Sequence, residues 1–332
     1  MKAVVMTAPG QPDVLDLRSI GDPVIQHPKE LLIKLKAAGI NPIDTKLRQR
    51  GTFFPNQLPA ILGCDGAGIV EAIGSSVTRF RVGDEVYFCN GGLGGQFGSY
   101  AEQTIVDERF AAHKPRSLSF IEAAAVPLVT ITAWEALHNR ARIQVGQKVL
   151  IHAGAGGVGH IAVQLAALQG ATVATTIGTP EKAQWVRSLG AELPILYKQT
   201  DFVSAIADWT NGEGVDVAFD MVGGALLGQT FAAVQLYGDV VTILEPDPAT
   251  DWKIARNRNL RVGFTLMLTP MLKNIVHAQQ AQTKILEQCA RLFDQGNLKI
   301  QVSQVLKLEQ AADAHRSIER GSTTGKIVLS ID

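Results

Sequence analysis

The sequence has only three cysteines, Cys64, Cys89 and Cys289, and no C-x-x-C pair. An odd, scattered set argues against a disulfide framework and for a reducing compartment. Net charge is also missing: 31 Lys and Arg balance 31 Asp and Glu, so no basic excess points to nucleic acid. No apolar run is long enough to span a membrane, since the least charged stretch, 149–177, is broken by glycines and by His152 and His160. The opening MKAVVMTAPG carries one charge and too short an apolar run for a signal peptide, so a cytoplasmic protein is expected. There is no internal repeat and no low-complexity tract. What remains is an ordinary globular composition, 46% hydrophobic over 332 residues, which allows about two domains.

The chain is organised around residues 147–182, QKVLIHAGAGGVGHIAVQLAALQGATVATTIGTPEK. An apolar run, Lys148 to His152, precedes a glycine turn, and Val158 to Gln169 is long and apolar enough for a buried helix. Gly170 stops that helix, and Thr172 to Thr176 is a β-branched run. The whole fits the roughly 30 residues of a βαβ crossover, which requires a parallel sheet.

The turn satisfies G-x-G-x-x-G as Gly154, Gly156 and Gly159, with Ala155, Gly157 and Val158 between. Following a strand and opening a helix, these glycines permit a tight turn, close approach of a pyrophosphate, and close packing of helix on strand. Free N–H groups at the helix start favour an anion. A dinucleotide site is therefore expected. A carboxylate about 20 residues on would select NAD by holding the ribose 2′-hydroxyl, but none occurs between Ala171 and Pro180. Instead Thr179 is placed to cap a helix with Pro180 at its first position, and Lys182 stands in its first turn, suited to a 2′-phosphate. NADPH is the expected cofactor.

Around this centre the material changes. Short strands are predicted at Lys2 to Met6, Leu31 to Ala37, Gly68 to Ala72, Glu85 to Phe88 and Tyr100 to Val106, separated by glycine and proline signals. A mostly antiparallel β domain is expected there. A helical segment, Phe120 to Leu137, leads into an α/β alternation: helices at 180–189, 201–209 and 225–234, strands at Val215 to Asp220 and Asp239 to Leu244. That pattern implies a doubly wound sheet. Arg261 to Leu266 is a candidate edge strand. The tail reads as helices at 274–295 and 309–320 with a last strand, Lys326 to Ser330.

Several segments together carry a resemblance. They are Ala38-Gly39-Ile40-Asn41-Pro42-Ile43-Asp44, Gly63-Cys64-Asp65-Gly66-Ala67-Gly68, Gly83-Asp84-Glu85-Val86, Thr132-Ala133-Trp134, the run from Gly146 to Gly159, and Asp220-Met221-Val222-Gly223. With them the chain resembles, nearly end to end, the zinc-independent quinone oxidoreductase (ζ-crystallin-like) branch of the medium-chain dehydrogenase/reductases. The resemblance implies an α/β protein: a GroES-like β-rich catalytic domain from 1–125 and 267–332, a Rossmann NADP-binding domain at 126–266, and a cofactor in the cleft. It implies that Asn41 and Asp44 border the nicotinamide pocket and that Thr130 lies under the cofactor. Gly178, Lys182 and Tyr197 would surround the adenosine phosphate, to which Thr179 offers a hydroxyl, and Lys326 would reach the cofactor from the tail. Substrate walls are expected from the loops 52–59, 90–97 and 265–274.

The departures are informative. Zinc-dependent relatives place Cys where this chain has Asn41 and near Leu128, and read Gly-His-Glu at Gly63-Cys64-Asp65, so no metal is expected: Cys64 beside Asp65 is not a three-ligand set. The branch often carries tyrosine where Lys46 stands. Asn41, Asp44 and Lys46 are the candidate catalytic residues, with Asn41 and Lys46 the candidate donors to an acceptor oxygen. The expected activity is NADPH-dependent hydride transfer to a quinone or α,β-unsaturated carbonyl. A redox-inactive NADPH-binding regulatory or structural protein and an alcohol dehydrogenase are the alternatives. His152 and His160 read as a strand end and a helix surface. The β-rich stretch 259–267 suggests a homodimer joined edge to edge.

Overall fold

In a computed structural model of the chain, residues 1–95, 97–321 and 323–332 are described. Gln96, inside the predicted 90–97 substrate loop, lies outside them. The chain divides into two units, residues 132–267 and residues 1–131 with 268–332.

The 132–267 unit is a six-stranded parallel sheet. Its order is Ala191–Leu196, Thr172–Ile177, Lys148–Ile151, Val215–Asp220, Val234–Thr242, Arg261–Phe264. The strand that feeds the glycine turn is thus central, and the chain order reverses beside it, the usual place for a ligand crevice in such sheets. Buried Leu150, Ala174, Ile195, Phe202, Ile206 and Phe231 share one core cluster. The strand Ala191–Leu196 is not apparent from the sequence because Pro194 interrupts it. As an edge strand it tolerates the missing N–H, and Pro194 pairs with Thr175. The strand expected from Asp239 begins at Val234, its early part distorted around Tyr237 at φ 62°.

The other unit holds a seven-stranded sheet whose path runs Val302–Lys307, Lys326–Ser330, Glu30–Ile40, Asp65–Ile73, Glu85–Cys89, Ala111–His113; Gln103–Asp107 pairs with Glu30–Ile40. Only the first two strands are parallel to each other. A three-stranded sheet of Leu15–Ser19, Lys2–Met6 and Ala60–Ile61 completes it. The tail strand inserts beside the long central strand, Ile327 opposite Ile40 and Ser330 opposite Ala37. That pairing brings the tail beside the residues that lead into Asn41.

A helix, Pro42–Arg50, follows the central strand directly. The sequence alone assigns Asn41 and Asp44 to no element. Their roles are those of a helix start: Asn41 is the N-cap, Pro42 opens the first turn, and the Asp44 carboxylate accepts the Asn41 N–H at 2.9 Å. The segment expected as one helix from Phe120 breaks at Val126 before Pro127, giving Phe120–Ala125 and Pro127–Trp134. Among the described residues no helix is long and apolar enough to cross a membrane.

Candidate functional site

In the parallel unit the glycine turn is shaped by contact more than by unusual torsions. A Cβ on Gly154 would sit 2.0 Å from Thr175 Oγ1, and one on Gly159 would sit 2.2 Å from the Ala153 carbonyl, so neither position accepts a side chain without movement. Gly156 is the N-cap of the helix Gly157–Leu168, and the nearest atom to a Cβ there is the Ala153 carbonyl at 3.2 Å. The left-handed residue of the turn is Ala153, at φ 52°, a conformation L-residues other than Asn and Asp seldom adopt. Ala155 is buried, while Gly156, Gly157 and Val158 are partly accessible.

Beside this turn lies a cavity of about 400 Å³ lined by His152, Ala153, Thr176, Tyr197, Val222 and Leu226, among others. His152 is fully buried and bridges two elements: Nδ1 is 3.2 Å from Thr176 Oγ1 and Nε2 is 3.0 Å from Thr230 Oγ1. Thr230 gives its own proton to the Leu226 carbonyl, so Nε2 carries the imidazole proton and Nδ1 accepts. Burial pushes this histidine down to about 4, against a weaker upward pull from Asp220. The expectation that His160 lies on a helix surface is wrong: it is buried, with Nδ1 2.8 Å from the Gly156 carbonyl. It anchors the base of the turn.

The four residues predicted around the adenosine phosphate lie on this unit. Thr179 caps the helix Pro180–Ser188, accepting the Lys182 N–H at 3.5 Å. The Tyr197 hydroxyl lies 3.5 Å from where a Gly178 Cβ would stand. Lys182 is half-buried. Glu181 is fully exposed, its carboxyl held below the usual range by the Thr179 hydroxyl and its own N–H.

In the other unit a second cluster forms around Asn41. Its amide is held at both ends: Nδ2 donates to Asp65 Oδ2 at 2.9 Å, and Oδ1 accepts from Lys326 Nζ. Lys326 also donates to the Ile40 carbonyl at 2.8 Å. Asp65 Oδ1 accepts the Leu128 N–H at 2.9 Å. Lys326 and Asp65 are themselves 3.9 Å apart, so their charges are joined mainly through the Asn41 amide. Both are buried. Burial pushes the Asp65 carboxyl up and the Lys326 ammonium down, each opposed by the other's charge. Cys64 is buried and its thiol pairs with that of Cys89. Among the described residues no three His, Cys, Asp or Glu side chains are grouped to hold a metal.

Asp44 opens a further network. Its Oδ2 accepts from the Asn41 N–H and, at 2.8 Å, from the Tyr100 hydroxyl. Tyr100 in turn lies 3.3 Å from His315 Nε2. Burial lifts the Asp44 carboxyl to about 7, outweighing those two donors. Arg48, completely buried, pairs with Glu319. Sequence reading missed Tyr100, Arg48 and His315. Tyr100 and His315 are 56 and 215 residues from their partners, and no local pattern marks such a meeting. Thr130 is buried, its hydroxyl without a partner among the described residues. Lys46 is exposed on the helix Pro42–Arg50, and the structure does not bring it into the buried cluster.

Comparison with known proteins agrees with this layout. A family model described as "Alcohol dehydrogenase GroES-like domain" matches residues 27–116, and one described as "Zinc-binding dehydrogenase" matches residues 189–329. A quinone oxidoreductase of Pseudomonas aeruginosa is 32% identical over 99% of both chains. A 2-methylene-furan-3-one reductase of Solanum lycopersicum is 34% identical over 99% of this chain and 79% of its own. The crystal structure of Escherichia coli quinone oxidoreductase complexed with NADPH superposes with a TM-score of 0.88, at 30% identity and full coverage of both chains. The two units are therefore a GroES-like domain and a Rossmann domain, and the chain belongs to the medium-chain dehydrogenase/reductase family, among its quinone oxidoreductases.

Proposed function

We propose that the protein is an NADPH-dependent reductase that delivers hydride to a quinone or an α,β-unsaturated carbonyl without a metal ion. The observation that carries this reading is the cavity beside the glycine turn, at the carboxyl ends of the central strands. Gly154, Ala155, Gly156, Gly157, Val158 and Gly159 form the cradle for a pyrophosphate, and the accessible backbone at Gly156 fits that role. Gly178, Thr179, Lys182 and Tyr197 would hold the 2′-phosphate, with no carboxylate at the end of Thr172–Ile177 to repel it. When bound, the reduced nicotinamide supplies a hydride. In the other unit, buried Thr130 keeps a hydroxyl without a partner among the described residues, a polar group able to take a ligand.

The acceptor side rests on Asn41. With one N–H on Asp65 and its oxygen on Lys326, the amide has a fixed orientation and one further N–H to offer a carbonyl oxygen. Lys326, proposed from resemblance as a cofactor contact, here orients Asn41. The same arrangement supports metal independence: Asp65 is engaged by an amide and a backbone N–H, with an ammonium 3.9 Å away, and Asn41 is a poor ligand. The relatives named above act, by their names, on quinones and on an exocyclic enone. The edge strand Arg261–Phe264, paired on one side only among the described residues, with exposed Phe264 and Leu266 beyond it, supports a homodimer.

The test is initial-rate measurement with 1,4-benzoquinone, 9,10-phenanthrenequinone and a simple enone, using NADPH or NADH, before and after treatment with a chelator. Turnover with NADPH that survives chelation is expected. Tight NADPH binding with no turnover would favour the redox-inactive reading, and activity restored only by zinc would favour the alcohol dehydrogenase reading.

A further inference from the structure

Hydride transfer leaves one proton to be found, and the residues assigned so far do not supply it. We propose that Asp44, Tyr100 and His315 form a proton relay whose inner end, the unpaired carboxyl oxygen of Asp44, supplies that proton. The proposal rests on the reductase reading above.

Donor counting gives the relay its direction. Tyr100 has one proton and gives it to Asp44 Oδ2 at 2.8 Å. Its oxygen can therefore only accept from His315, 3.3 Å away, which places the imidazole proton on Nε2 and leaves Nδ1 as an acceptor. Neither end of the relay is tied by a hydrogen bond. Asp44 Oδ1 and His315 Nδ1 are buried and have no partner among the described residues. A carboxyl with one oxygen doubly engaged and the other bare is costly as a structural feature, and the bare oxygen is where an acid proton belongs.

The surroundings set each member's charge. Facing Asp44 are the Asp65 carboxyl, the Lys326 ammonium and the Tyr100 phenol. Burial dominates, and Asp44 titrates at about 7, where a general acid is most effective. Burial holds Tyr100 protonated far beyond neutrality, helped by Asp44. Burial and the Arg48 guanidinium push His315 down to about 3, so it stays neutral and passes a proton without storing one. Arg48 is paired with Glu319 and takes no part in transfer.

Electrons and protons balance across the step. The hydride carries two electrons to the acceptor, and Asp44 Oδ1 releases one proton to it. Oδ2 takes the Tyr100 proton, Tyr100 takes that of His315 Nε2, and Nδ1 takes one from water. The net reaction consumes one hydride and one proton per acceptor.

The test begins without cofactor. Infrared difference spectra of the protein across pH are expected to show a protonated carboxyl band that disappears near pH 7. It should be absent in Asp44→Asn and displaced to higher pH in Tyr100→Phe, which loses a hydrogen bond favouring the ionised form. With NADPH and an enone, kcat should fall above pH 7. In Asp44→Asn, which keeps an acceptor for Tyr100, kcat should fall by about 10²- to 10⁴-fold and lose that pH dependence. NADPH affinity and the unfolding midpoint should stay near wild type, which a merely structural loss would not allow. Should Asp44→Asn fail to fold, the upward shift in Tyr100→Phe, seen in both spectrum and rate profile, carries the test. An Asp44→Asn or Tyr100→Phe protein with the wild-type rate and pH profile overturns the relay alone. A wild-type protein that reduces no acceptor overturns the reductase reading itself.

Discussion

Replacing Lys326 by methionine tests the buried charge cluster most sharply. The side chain keeps its length but loses the ammonium, leaving Asp65 buried without its counter-charge and the Asn41 Oδ1 and Ile40 carbonyl without their donor. Removing one partner of a buried pair costs about 3–5 kcal/mol, and the 3.9 Å separation from Asp65 argues for the lower half of that range. Denaturant unfolding of wild type, Lys326→Met, Asp65→Asn and the double variant gives the coupling directly. The double variant should recover about half of the loss, because the neutral amide that replaces the Asp65 carboxylate no longer needs a cation. The loss should also shrink in acid. Without Lys326 the folded-state Asp65 carboxyl moves further above its unfolded value of 3.8, so the folded variant gains a proton there and is relatively stabilised as pH falls. A Lys326→Met protein within about 1 kcal/mol of wild type, with no coupling to Asp65→Asn, would show that Lys326 is not the counter-charge and refute the arrangement.

Lys182→Ala should weaken NADPH by roughly ten- to a hundredfold, at about 1.5–3 kcal/mol for a charge-assisted phosphate contact, and leave NADH nearly unchanged; equal loss for both in titration calorimetry would make Lys182 a fold residue. Stability should fall on acidification from pH 6.5 toward 4. His152 and His315 have folded values of about 4 and about 3, below their unfolded 6.5, so the unfolded chain binds the extra protons and stability is lost as pH falls. Asp44, raised to about 7, acts in the opposite sense across the same window. Asp65 is raised by burial as well and His138 lowered, so three histidines against two carboxyls leave a net slope on the order of 1.4 kcal/mol per pH unit, which His315→Gln should flatten; thermal melts with no pH slope there would contradict the burial of these histidines. Sedimentation should show a dimer at micromolar concentration, shifted toward monomer by Phe264→Asp, and a wild-type monomer would count against the edge-strand pairing.

What could be read from the chain was whatever is local. The glycine turn, its flanking strand and helix, and the Thr179-Pro180 helix start are consecutive residues whose types fix their conformation, and they stand where the sequence placed them. Edge strands were harder. Ala191–Leu196 carries a proline, and Val302–Lys307 is mostly exposed, so neither shows the alternation or apolar run that marks a half-buried or buried strand. The helix Pro42–Arg50 was hidden by its polar sequence, although Asn41-Pro42 with Asp44 two residues on is a start signal. Least visible was the cluster around Asn41 and Asp44. Lys326 is 285 residues from Asn41, and only the insertion of the tail strand beside Glu30–Ile40 brings them together. The exposed position of Lys46 likewise depends on which face of that helix packs against the tail helix Ala311–Glu319.

The most direct test of the account is the rate of cofactor oxidation by the purified, chelator-treated protein with a quinone and with an enone, each offered NADPH and NADH. The account predicts turnover with NADPH for at least one of the two acceptors and a clear preference over NADH. Wild-type protein that binds or oxidises NADH as well as NADPH would contradict the phosphate site at Gly178, Thr179, Lys182 and Tyr197, and one that turns over neither acceptor would contradict the function itself.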